Sequence, residues 1–202
     1  MVLSAFDGDH LKKRLGKLDS DRQLAFGAAC CERLLPNYKA FQGDTGWGSL
    51  RPIRDALNLV WSSVGGQKRG SSEIRHIISE CESVGPDSDD FESLYTSFAQ
   101  DACFAVCSLL DYLLNSDAER IVQAATYATD SVDLFVQEIE NMDPNDPELE
   151  QKIVTHPLMQ RELAQQEKEL QMIERASSLT PELLTQLRSA WDNNGKSNLD
   201  LP

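Results

Sequence analysis

The chain has 202 residues, 41% hydrophobic and 26% charged. That balance fits one compact domain, or one with a small appendage, and fits a disordered chain, a collagen or a small disulfide scaffold poorly. Nineteen Lys and Arg against thirty-three Asp and Glu leave a formal net charge of −14, which argues against nonspecific nucleic-acid binding and against acidic membrane surfaces, because both need clustered basic side chains. The charge is uneven: residues 1–70 carry eleven bases and seven acids, whereas the window 82–150 carries seventeen acids and the single base Arg120. An electrostatic function would have to use that window.

In chain order, a first helix is expected from about Asp9 to Lys17, and the Asp19-Ser20 cap opens a second that runs to Leu35 and stops at Pro36. Thr45-Gly46-Trp47-Gly48 reads as a glycine-flanked aromatic corner. Ser49 caps a further helix with Pro52 tolerated in its first turn, and Val64 to Ser72, rich in Gly and Ser, reads as a mobile connection to a helix over 71–83. Neither Gly nor Pro occurs between Pro86 and Pro144, so long helices must fill that stretch. One runs from Asp89 or Asp90 to about Leu114 and is apolar over most of its circumference, with a narrow polar stripe at Ser97, Asp101, Ser108 and Asp111. The other follows Ile121, Ala125, Ala128, Val132, Phe135, Ile139 and Met142 in steps of four and three. Asn115-Ser116-Asp117 joins them as a turn. Helices near 147–154, 158–176 and 181–193 follow, and 195–202 is expected to be an extended or frayed tail.

No period-two strand pattern survives, so the fold class is all-α: a multi-helix bundle around a central antiparallel helical hairpin at about 90–142. One all-helical domain over 1–194, with N-terminal helices at 9–64 and central and C-terminal helices at 71–194, precedes the tail. No stretch reaches the roughly eighteen apolar residues of a membrane span, and the N-terminus, Met1-Val2-Leu3-Ser4-Ala5-Phe6, meets Asp7 without a basic or long apolar region, so no signal peptide is readable. Five cysteines, Cys30, Cys31, Cys81, Cys103 and Cys107, suit a reducing compartment, with the cytoplasm as the default.

Most chemical signatures fail. Gly65 to Ser72 has phosphate-loop glycine spacing, but Ser71 stands where the Lys belongs; Gly195-Lys196-Ser197 has the Lys, but Ala190 replaces the first glycine. Glu73 and His76 supply only one of the two Glu-x-x-His pairs that a di-iron bundle requires. Cys103 and Cys107, with the vicinal Cys30 and Cys31, would form a zinc site only if their helices met in register, and buried cysteines are usually small hydrophobes. The most distinctive run is Cys30 to Tyr38, then Phe41 and the Trp47 corner. Its functional reading is a ligand pocket or partner hot spot using Arg33, Tyr38, Trp47 and Arg51. The bland reading, which is favoured, is a structural corner where Trp47 packs and Arg33 sits at a helix C-terminus.

These residues carry a resemblance. Gln23-Leu24-Ala25-Phe26, the run through Pro36-Asn37-Tyr38 with Phe41, Thr45-Gly46-Trp47-Gly48, Asp101-Ala102-Cys103, His156-Pro157-Leu158 with Gln160, Glu162 and Gln165, and Gly195-Lys196-Ser197-Asn198 resemble the bacterial YjaG-like family, a domain-of-unknown-function group. One departure is Ser49, where an acid is expected after the second glycine. The resemblance implies a bacterial, cytosolic, all-helical protein and supplies no activity, cofactor or catalytic residue.

The function expected is therefore noncatalytic binding of an unknown protein partner, through the acidic hairpin or the aromatic corner, with no catalytic residue, cofactor or metal assigned. The alternative is a small metal-dependent hydrolase drawing on Asp101, Asp111, Glu119 and Asp130. A homodimer through the C-terminal helices is a further possibility, resting on Leu163, Leu170, Ile173, Leu183, Leu187 and Trp191.

Overall fold

A computed structural model describes residues 5–191 and 193–202; the leader reading at Met1–Ser4 and residue 192 at the end of the last expected helix lie outside them. The described residues form helices α1 (Gly8–Leu15), α2 (Ser20–Glu32), α3 (Leu35–Thr45), α4 (Leu50–Val64), α5 (Ser71–Glu82), α6 (Thr96–Asn115), α7 (Glu119–Ile139), α8 (Leu149–Thr155), α9 (Pro157–Arg175) and α10 (Pro181–Arg188), with no strand among them.

Local chemistry sets most of the helix ends. Asp7, Asp19 and Thr180 accept hydrogen bonds from His10 N, Arg22 N and Leu183 N, which relieves unpaired amides in the first turns of α1, α2 and α10. Gly46 closes α3 in the left-handed region at φ +68°.

Pro36 does not stop a helix. The chain breaks one turn earlier, at Arg33 and Leu34, and Pro36 stands in the first turn of α3. Proline lacks an N–H that this position does not need, and its fixed φ suits a helix start. Asn37, Tyr38 and Phe41 therefore lie on a helix that the sequence reading had left as a corner. The central hairpin also begins later than expected, at Thr96, because Phe91 is drawn out to pack on Trp47 and Phe41.

α2 and α6 are the central helices. α6 packs against α2, α3, α4, α5 and α7, and α2 against α4, α6, α7, α9 and α10. Among the described helices α6 alone has the length and apolar content to cross a membrane, and more than half of it is buried inside the bundle. The main core joins α1 to α7 with α9 and α10. A smaller core gathers Phe98, Val132, Val136, Ile153, Met159 and Leu163 around Leu199 and Leu201.

That second core overturns the frayed tail. Ser197 and Asn198 are fully buried. Asn198 N donates to Arg33 O at 3.1 Å, and its Nδ2 donates to Ala128 O at 2.9 Å, tying the last residues to the α2–α3 junction and to α7. Ser197 N closes a loop on Leu201 O at 2.8 Å. The tail is held because Leu199 and Leu201 fill apolar space and each buried polar atom of Asn198 finds a partner.

Candidate functional site

The four residues singled out in the sequence are not brought together. Arg33, at the C-terminus of α2, is completely buried and meets α9. Its Nε donates to Glu162 Oε2 at 2.8 Å and its Nη2 to Glu162 Oε1 at 2.8 Å, while its Nη1 donates to Glu169 Oε2 at 2.9 Å and to Ala29 O at 3.0 Å. The remaining N–H points at Cys30 Sγ, 3.4 Å away. Gln165 and Gln166 donate to Glu169 and Glu162 at 2.7 and 2.9 Å.

One guanidinium thus bridges two carboxylates that are both fully buried. Burial pushes the Glu169 carboxyl up, opposed by Arg33 and by the Gln165 hydrogen bond. Burial likewise raises the Cys30 and Cys31 thiols, which keeps them protonated. A site of this kind fastens α2 to α9 and presents no surface. Glu162 and Glu169 sit seven apart among Met159, Leu163, Gln166, Leu170 and Ile173, on the buried face of α9. Acids at core positions of an amphipathic helix were the signal available in the sequence.

The Tyr38 hydroxyl donates to Val84 O at 2.7 Å and accepts from Ser49 N at 3.1 Å. Gly48, at φ +80°, lies so close that a side chain there would run into Tyr38 Oη. Trp47, 38% exposed, packs at 6.1 Å on Phe41 and 5.1 Å on Phe91. Ser49, in place of an acid, caps α4 through Arg51 N. Arg51 is exposed and pairs with Asp55 at 3.5 Å, beside an open cleft between α4 and α5.

The acids of the central helices each have a separate setting. Glu119 binds Lys12 at 2.7 Å and Asp111 lies 3.8 Å from Arg120. Asp101 accepts from Ser131 Oγ at 2.7 Å, and its burial pushes its carboxyl up to about 6 even so. Asp130 is raised as well, by burial and by Asp133. Among the described residues no three His, Cys, Asp or Glu side chains converge to hold a metal ion.

The outer face of the hairpin holds a group of residues that the sequence reading passed over. Phe104, 48% exposed, lies against Tyr127 at 5.8 Å, and Leu134, 37% exposed, sits two turns along α7 from Tyr127. Asp101, Asp111 and Asp130 surround them on the same two helices. Phe104 falls in the middle of the Ser97, Asp101, Ser108, Asp111 stripe, and an aromatic interrupting a polar stripe was its sequence signature.

The fold and these sites define an all-helical protein in which the most elaborate polar cluster is internal scaffolding. Residues 10–201 match the family described as "Protein of unknown function (DUF416)", and the chain belongs to that family. It is 26% identical over 189 residues to the Escherichia coli K12 protein "Uncharacterized protein YjaG", covering 93% of this chain and 94% of that one. It is 25% identical over 193 residues to an "Uncharacterized protein" of Haemophilus influenzae, covering 95% and 96%. A crystal structure of a DUF416 family protein from Shewanella baltica OS155 superposes with a TM-score of 0.85 at 28% identity, covering 98% of this chain and 99% of that one.

Proposed function

We propose that this protein is a noncatalytic interaction protein that docks a basic, apolar-bearing segment of another protein on the outer face of α6 and α7. The observation that carries the reading is the patch of exposed Phe104 and Leu134 with half-buried Tyr127, amid Asp101, Asp111 and Asp130, in a window with seventeen acids and one base. Interfaces take most of their energy from a few aromatic or aliphatic anchors, and surrounding charge selects the partner by sign. Arg33 and Tyr38 are already committed inside the fold, which favours the hairpin over the aromatic corner. Five free cysteines fit a reducing compartment, the cytoplasm.

The test is capture from bacterial lysate with the tag at either end, followed by titration of the recovered protein, purified, into this chain at rising ionic strength. A basic partner whose binding weakens as salt is added supports the reading. Recovery of nothing above background, or a partner indifferent to salt, overturns it.

A further inference from the structure

Between α1, α2 and α9 lies a cavity of about 190 Å³ that neither the scaffold cluster nor the hairpin face uses. Phe6, Leu11, Phe26, Leu163 and Leu170 wall it, and Gln166 is its buried polar member. Gln166 Nε2 donates to Ala125 O at 3.1 Å and to Glu162 Oε1 at 2.9 Å. Both N–H bonds of the amide are thereby committed, so its carbonyl oxygen is the side chain's remaining hydrogen-bonding group. At the rim Arg14 binds Glu167 at 2.5 Å and Glu174 at 2.8 Å, and Asp7 caps α1 by accepting from His10 N at 2.8 Å. An anionic ligand would have to displace a carboxylate from Arg14.

We infer that this cavity is a binding site for a small neutral molecule, one ring or a short carbon chain, carrying one O–H or N–H that donates to the Gln166 carbonyl oxygen. Size supports the class, since an open pocket of about 190 Å³ has room for one ring or a short chain. Direction supports it too, because turning the amide over would set its oxygen against two acceptors, Ala125 O and the Glu162 carboxylate. The pattern of apolar walls with one fixed polar group is that of small-molecule sites generally. It also places the ligand one hydrogen bond from the Arg33 cluster through Glu162.

The experiment is a titration of the full chain with phenol and, separately, with anisole, a ring of similar size without the donor, followed by backbone amide NMR. The expected result is saturable shifts at Leu11, Gln166 and Leu170 with phenol, and binding of anisole weaker by about fivefold, the worth of one hydrogen bond. Leu163→Phe, which narrows the cavity, is expected to weaken both. Gln166→Met, which removes the acceptor and keeps the volume, is expected to erase the preference for phenol. Equal affinity for the two probes, binding that Leu163→Phe leaves unweakened, or no saturable shifts at these amides would overturn the inference. Should Gln166→Met not fold, the comparison of the two probes on the unaltered chain, with Leu163→Phe beside it, still decides.

Discussion

Arg33 has five N–H donors, and every one finds an acceptor inside the protein, on Glu162, Glu169, Ala29 O or Cys30 Sγ. Removing one member of a buried charge cluster leaves the others unpaired in a medium that solvates them poorly. Arg33→Met is therefore expected to cost about 3–5 kcal/mol in urea unfolding. Arg33→Lys should recover little of it, because an ammonium cannot reproduce the two-pronged contact with Glu162. Replacing Glu162 and Glu169 by Leu in the Arg33→Met background should restore much of the loss; a triple variant no more stable than the single one would contradict this account. Asp101 supplies a second prediction. Its folded carboxyl titrates at about 6, against roughly 3.9 when unfolded, so the folded state binds the proton more tightly. Its contribution to stability is fully present below the unfolded value and is lost as pH rises to about 6. Asp101→Asn should thus gain stability relative to the parent between pH 4 and pH 7, and denaturation midpoints across that range check it. The identity of Arg33 as a notable residue was legible in the sequence. Its burial was not, because the partners lie 129 and 136 residues away on α9 and only folding brings them near.

At the scale of the helix, periodicity revealed what local chemistry could reveal. The apolar steps of α7 and the near-continuous apolar surface of α6 placed the hairpin, and the Asp19 and Ser49 caps placed the starts of two helices. α3 was missed because proline has opposite meanings inside a helix and in its first turn, and the choice depends on whether the chain has already broken. The docked tail was missed because its hold comes from Arg33 O and Ala128 O, backbone groups of distant helices. Helix contacts also set what a glycine can tolerate. A Cβ at Gly27 on α2 would stand 2.5 Å from Leu109 Cδ2 on α6, which is fully buried and cannot swing away. The helical preference for alanine, about 1 kcal/mol, is outweighed by an overpacking cost of about 1–3 kcal/mol, so Gly27→Ala should lower stability. Gly43→Ala on α3, with nothing within 4 Å, should instead raise it by about 0.5–1 kcal/mol. Thermal melts of the two variants give opposite signs if this packing is right and the same sign if it is not.

Across the whole molecule the net charge of −14 separates into charges that hold the bundle and charges that face solvent. Arg33 with Glu162 and Glu169 ties α2 to α9, and Arg14 with Glu167 and Glu174 ties α1 to α9. Glu32 receives Arg54, Trp61 and Arg188, which joins α2 to α4 and α10. Of the apolar residues considered for self-association, Leu163, Leu170, Ile173 and Leu187 are buried within this chain, and Leu183 and Trp191 are half-buried. Among the apolar side chains the bundle leaves outward are Phe104 and Leu134 on the acidic hairpin, and Trp47 at the aromatic corner. The measurement that tests this division most directly compares the captured partner's affinity for three chains: the parent, Phe104→Ser with Leu134→Ser, and Trp47→Ser. The account predicts that the paired hairpin substitutions weaken binding at least tenfold with the fold intact, and that Trp47→Ser leaves it within about twofold, since hot-spot truncations cost about 2 kcal/mol or more. Loss of binding with Trp47→Ser and its retention with the hairpin variant would contradict it.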